Sequence, residues 1–231
     1  MSTDIEHQAE VKEEPAAEVE DRAEVEELDA EARARRDAAL RQVRKLGDPV
    51  LRATAIPVER FDEQLRAEAQ RMDELMQAAL GVGLAATQVG VLHRLLIYRA
   101  YPEDATTVLV NPVLEWASEE CEAAEEGCLS IPKVLVEVER PVRVRVRARD
   151  VGGAELLVEA EGLEARVIQH EIDHLDGVLI LDRISREARR EAMRALREAR
   201  DGESQAGAPA AKAEVSTADA GGGRPRDGAP A

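Results

Sequence analysis

Residues 170–174 read His170-Glu171-Ile172-Asp173-His174, the HExxH pattern. Four residues apart on a helix, the two imidazoles leave the same face. Together they can hold one divalent metal, and Glu171 beside them can handle the proton of a water bound there. Two of the four histidines in the chain sit in this pentapeptide. The competing reading is a helix with two surface histidines and no metal. The apolar spacing around the motif predicts a helix from near Leu163 to Gly177.

A metal needs a third ligand. Downstream, Gly177 stands where a longer HExxHxxGxxH pattern has its glycine, but Ile180 replaces the last histidine. Asp182, Glu187 and Glu191 lie in an arginine-rich helical stretch that reads as solvated. Upstream, Glu126-Gly127-Cys128-Leu129-Ser130 offers Cys128, whose thiolate is a strong soft ligand for iron(II) or zinc. Most free cysteines are simply small buried apolar residues, so Cys128 alone decides nothing.

The third informative segment is Gly81-Val82-Gly83-Leu84-Ala85-Ala86-Thr87-Gln88-Val89-Gly90. It is not a dinucleotide fingerprint, because Ala86 stands where the third glycine belongs. It is not a P-loop either, since no Gly-Lys-Ser/Thr follows. Taken in order, GxGLAAxQ, EGCLS and QHExxH resemble peptide deformylase of the bacterial type, over roughly Ala39 to Leu196.

That resemblance implies an α+β fold, with antiparallel β-sheets packed around a central HExxH-bearing helix and further helices at the N- and C-terminal ends. It implies an enzyme that hydrolyses the N-formyl group of nascent formyl-methionyl peptides, releasing formate. Cys128, His170 and His174 would hold one divalent metal ion, usually Fe2+, with Zn2+, Ni2+ or Co2+ able to substitute. Three protein ligands leave an open fourth position, the mark of a catalytic site. Glu171 would act as general base and acid, and the Gln88 side chain and the Leu129 backbone N–H would form the oxyanion site. Val82, Leu163 and Val167 would line the methionine pocket, with the aliphatic part of Arg166 nearby. Gly83 and Gly127 would contact the peptide backbone, and Glu126 would orient its neighbours. Leu135 departs from relatives that carry an arginine seven residues after the ligand cysteine.

Composition agrees without adding chemistry. The net charge is −17, but residues 1–30 hold twelve acidic and two basic residues, so most of it belongs to an N-terminal extension. The expected organisation is an acidic extension over 1–36, disordered or partly helical; a catalytic domain over 37–200; and a disordered Gly/Ala/Pro-rich tail over 201–231. Nothing resembles a secretory or transit signal or a transmembrane stretch, so no membrane partner is expected. Two cysteines form no disulfide framework, and a bacterial cytoplasmic location follows as the expectation.

Periodicity places the rest. Leu46-Gly47-Asp48-Pro49 reads as a turn, and Asp62 as the N-cap of a helix ending at Gly81. Leu95–Tyr98 and Val108–Val110 read as short strands, with Asn111-Pro112 turning the chain. Val142, Val144 and Val146 alternate with Arg143, Arg145 and Arg147, a half-buried strand. Those arginines read as a solvated sheet face, so no DNA partner is expected. From Arg183 to Arg200 there are seven arginines and three glutamates, a helix whose basic excess suits contact with the ribosome. Two rival functions remain: a zinc endopeptidase using the same histidines, and a catalytically silent binding protein of the same fold.

Overall fold

Asp29 begins the part of the chain that the computed structural model describes, residues 29–206. The expectations for residues 1–28 and 207–231 lie outside it. The Asp29 side chain accepts the N–H of Ala32 and opens helix α1 (Ala30–Leu40). This helix crosses the expected boundary at residue 36. Asp48 likewise caps a 3-10 turn over Pro49–Arg52. Asp62 accepts the N–H groups of Gln64 and Leu65 and starts helix α2 (Glu63–Ala78). One stripe of that helix, Leu65, Met72 and Met76, is buried.

Seven strands follow among the described residues: β1 (Gly83–Ala85), β2 (Leu95–Tyr98), β3 (Thr107–Ala117), β4 (Cys121–Glu126), β5 (Val136–Pro141), β6 (Arg143–Arg149) and β7 (Glu155–Glu161). Five of them form one antiparallel sheet in the order β1-β2-β3-β6-β7, and β4 and β5 form a separate antiparallel hairpin. Helix α3 (Gly162–Leu175) carries His170 and His174, and helix α4 (Arg186–Ala206) runs past the expected boundary at residue 200. The fold is thus a mixture of helices and antiparallel sheet. No helix among the described residues is long and apolar enough to cross a membrane.

The alternation in β6 is visible as burial: Val144, Val146 and Ala148 are buried, and Arg143, Arg145, Arg147 and Arg149 are exposed. Arg145 and Arg147 pair with Glu159 and Glu115 on neighbouring strands, which makes that face solvated and self-neutralised. The expected turn at Asn111-Pro112 is not there. Strand β3 continues through it with a shift of register between Val110 and Val113. Asn111 adopts a left-handed conformation (φ 53°), as a β-bulge permits. Its side-chain amide then takes up both backbone groups of Val58, at 2.8 and 2.9 Å. A turn signal was spent on a bulge that ties the sheet to the segment before α2.

The sheet divides two apolar layers. On one face Ala85, Leu96, Tyr98 and Val146 pack against Val167, Ile168, Ile172 and Leu175 of α3. On the other, Leu84, Leu95, Ile97 and Val110 pack against α2. A third cluster joins Val136 and Val138 of β5 to Ile131, Leu179, Ala192 and Leu196, and so attaches α4. Helix α3 therefore lies between the large sheet and the hairpin, with the segment carrying Cys128 brought alongside it.

Candidate metal centre

Three chain segments meet at this place. The Cys128 Sγ lies 3.2 Å from His174 Nε2, and the ligand atoms of Cys128, His170 and His174 all lie within 4.8 Å of one another. Among the described residues this is the one group of that kind. Burial alone would raise the Cys128 thiol, but His174 and His170 beside it outweigh that and hold it well below the ordinary thiol range. A thiolate with two imidazoles is a donor set that suits zinc or iron(II). The Nδ1 of His174 is buried and has no hydrogen-bond partner among the described residues.

The imidazole of His170 is aimed by what lies behind it. Its Nδ1 is 3.0 Å from Glu126 Oε2. Burial would raise the Glu126 carboxyl, but Arg140 and His170 outweigh it and bring it down to about 2. Glu126 therefore faces the His170 Nδ1 as an acceptor and orients the ring from behind. Arg140, itself 4% exposed, meets both Glu126 oxygens at 2.6 and 2.9 Å and reaches Asp173 at 2.8 Å. Arg166 adds a contact to Glu126 at 3.0 Å, and Arg183 grips both oxygens of Asp173. Buried charges persist only when paired in this way.

This network shows what the sequence reading missed. Arg140 and Asp173 were not singled out. The signal for Arg140 is its phase: Val136, Val138 and Arg140 occupy one face of β5, so an arginine falls on an inward strand position. Asp173 hides as an unspecified position inside the HExxH pattern.

Glu171 is 4% exposed, and burial pushes its carboxyl up. Its Oε2 is buried and has no partner among the described residues. Gly83 is packed against it: a Cβ on Gly83 would stand 2.5 Å from Oε1 and 2.9 Å from Cγ of Glu171. The Gln88 side chain is fixed in orientation. Its Oε1 accepts the Ala85 N–H at 2.8 Å, so Nε2 faces Ser130 Oγ at 3.3 Å and Cys128 Sγ at 3.8 Å. Leu129 follows Cys128 directly and is half-buried. Leu163 and Val167 share the apolar layer under the sheet, whereas Val82 is half exposed and outside it. Gly127 is exposed, with Leu135 against it.

Residues 40–190 match the family described as polypeptide deformylase. The chain belongs to that family. Membership makes it a metal-dependent hydrolase that removes N-formyl groups. The peptide deformylase of Thermotoga neapolitana is 50% identical over 143 residues, covering 62% of this chain and 86% of the relative. That of Parafrankia sp. is 45% identical over 161 residues, covering 70% and 87%. The crystal structure of the peptide deformylase of Thermotoga maritima superposes with a TM-score of 0.60 at 47% identity, covering 62% of this chain and 96% of that one. Deformylase membership leaves the endopeptidase reading without support, and the geometry gives a reason. Asp182, one of the downstream acids weighed as a third ligand, is instead held by Arg52 and Arg189 and accepts the Leu179 N–H.

Proposed function

We propose that this chain hydrolyses the formamide at the N-terminal formyl-methionine of nascent polypeptides, releasing formate and a free α-amine, with Cys128, His170 and His174 holding one divalent cation. The observation that carries this is the convergence of a favoured thiolate and two imidazoles, with the buried Glu171 carboxylate close enough to feel the charge of all three. A cation there supplies Lewis acidity, which brings a water toward deprotonation near neutral pH and polarises a carbonyl. Iron(II) is the proposed occupant, with zinc, nickel or cobalt as substitutes.

The residues divide the remaining work. Glu171 takes the proton of the attacking water and returns it to the leaving amine; its raised affinity for protons suits both halves of that task. The Gln88 Nε2 and the Leu129 backbone N–H donate to the oxygen that gains negative charge. The Ala85 N–H orients the Gln88 amide, which limits the reorganisation needed when charge develops. Leu163 and Val167 form the apolar wall for the methionine side chain, and Val82 closes its outer lip. Gly83 and Gly127 meet the peptide backbone, and a side chain at Gly83 would displace Glu171.

Two further parts of the proposal concern surroundings. The free thiols Cys121 and Cys128 suit a reducing compartment, the bacterial cytoplasm. Helix α4 exposes Arg186, Arg189, Arg190, Arg194 and Arg197 while burying Ala192 and Leu196, which suits contact with ribosomal RNA. Replacing Arg190, Arg194 and Arg197 by glutamate is expected to abolish co-sedimentation with ribosomes at low salt, and unchanged co-sedimentation contradicts it.

The test of the reaction is stoichiometry. Incubation with formyl-Met-Ala-Ser is expected to yield formate and intact Met-Ala-Ser in equal amounts, and Cys128→Ala is expected to lose the metal. Cleavage of an internal peptide bond, or full metal retention by Cys128→Ala, contradicts the proposal.

A further inference from the structure

Three consecutive residues ahead of the 3-10 turn touch both arms of the site. The Arg44 N–H donates to the carbonyl of Gln88 at 2.7 Å, and the Leu46 N–H donates to the carbonyl of Ser130 at 2.9 Å. Between them, the Lys45 side chain folds inward and its Nζ donates to the carbonyl of Leu129 at 2.8 Å. On the other side of Leu129, the Cys128 carbonyl accepts the Ile131 N–H at 2.8 Å. The two peptide groups flanking the Leu129 Cα are thus both held, one by a backbone turn and one by Lys45.

We infer that Lys45 is a positioning residue of the hydrolytic site: by holding the Leu129 carbonyl, it fixes the direction of the Leu129 backbone N–H toward the reacting oxygen. This rests on the reading above that the Leu129 N–H and the Gln88 amide receive that oxygen. The physical reason is rotational. A half-buried carbonyl without a partner re-solvates by turning its peptide plane, and the N–H across the Leu129 Cα turns with the segment. An oxyanion donor acts only when its direction is set beforehand. The Lys45 Nζ bonds the Leu129 carbonyl rather than a ligand atom, although its charge also acts through space on the Cys128 thiolate. The backbone bonds of Arg44 and Leu46 keep the same stretch registered against both Gln88 and Ser130, so the two oxyanion donors are aligned from one strap.

Lys45→Met keeps the aliphatic stem and removes the donor; Lys45→Arg keeps a donor of greater reach. Both are compared with the parent and with Gln88→Ala, all loaded with cobalt(II), for metal content, cobalt absorption spectrum, kcat and KM on formyl-Met-Ala-Ser. Lys45→Met is expected to hold one metal per chain with the parent's cobalt spectrum, and to lose about 10- to 100-fold in kcat. Its KM should stay within about threefold, and Lys45→Arg should recover most of the rate. The inference is overturned if Lys45→Met keeps kcat within about twofold of the parent while Gln88→Ala is impaired. It is also overturned if Lys45→Met is unfolded or metal-depleted, or if its cobalt spectrum changes, since its role is then structural. A parent that releases no formate, or a Gln88→Ala variant as fast as the parent, removes the oxyanion reading itself, and the inference with it.

Discussion

Gly83 and the Glu171 carboxylate compete for one volume. Glu171 has its Cγ within 2.9 Å of where a Cβ on Gly83 would stand, and its side chain is buried, so it cannot retreat into solvent. Gly83→Ala is therefore expected to keep its metal and lose about 100-fold or more in kcat, checked by metal analysis beside formate release. Glu126 makes a second prediction at this scale. Folding lowers its proton affinity from the ordinary 4.5 to about 2, through Arg140 and His170 and against the effect of burial. A depressed carboxyl stabilises the fold fully above its unfolded pKa and loses that contribution as pH falls through the folded value. The contribution is about 3 kcal/mol at neutral pH, and about 2 kcal/mol of it is gone by pH 3. Urea unfolding of the parent and Glu126→Gln should show their stability difference shrinking by that amount between pH 6 and pH 3. A difference independent of pH contradicts the assignment.

At the scale of elements, what the sequence disclosed depended on whether the deciding interaction was local. Helix α2 was legible because its cap and its stripe lie within its own residues: Asp62 begins it, and Leu65, Met72 and Met76 face one way. Strand β6 was legible because period two survives in Val144 and Val146. Strand β4 was not, because Cys121-Glu122-Ala123-Ala124-Glu125-Glu126 holds no β-branched or aromatic residue and is a strand only through its pairing with β5. Asn111-Pro112 was misread for a related reason. The same two residues suit a turn or a bulge, and the choice is made by Val58, fifty-three positions away. Asn111→Ala removes both bonds to Val58 and places a residue with a Cβ and no compensating hydrogen bond at positive φ. It is expected to lower stability by about 2–4 kcal/mol, measured by denaturant unfolding. Loss of less than about 0.5 kcal/mol would mean the bulge is held by something else.

Across the whole molecule, the cluster that could hold a metal was legible before the network behind it. Motif order alone singles out Cys128, His170 and His174, which the fold brings within 4.8 Å of one another although Cys128 is forty-two positions from His170. The Arg140–Asp173–Arg183 chain behind them was not, because it forms only once the hairpin, α3 and the root of α4 are packed together. That packing also makes α4 part of the fold: Ala192 and Leu196 join the hairpin's apolar cluster. Leu196→Ala should cost about 2–3 kcal/mol while leaving kcat per folded molecule unchanged, read from unfolding curves and active-site titration. In the proposed reaction Glu171 moves the proton beside a cation held by Cys128, His170 and His174. This is tested most directly by formate release from formyl-Met-Ala-Ser with parent and Glu171→Ala, counting bound metal in each. Equal metal content and a rate lower by about 100-fold or more are expected for Glu171→Ala. A metal-loaded Glu171→Ala that matches the parent, or a metal-loaded parent that releases no formate, would contradict it.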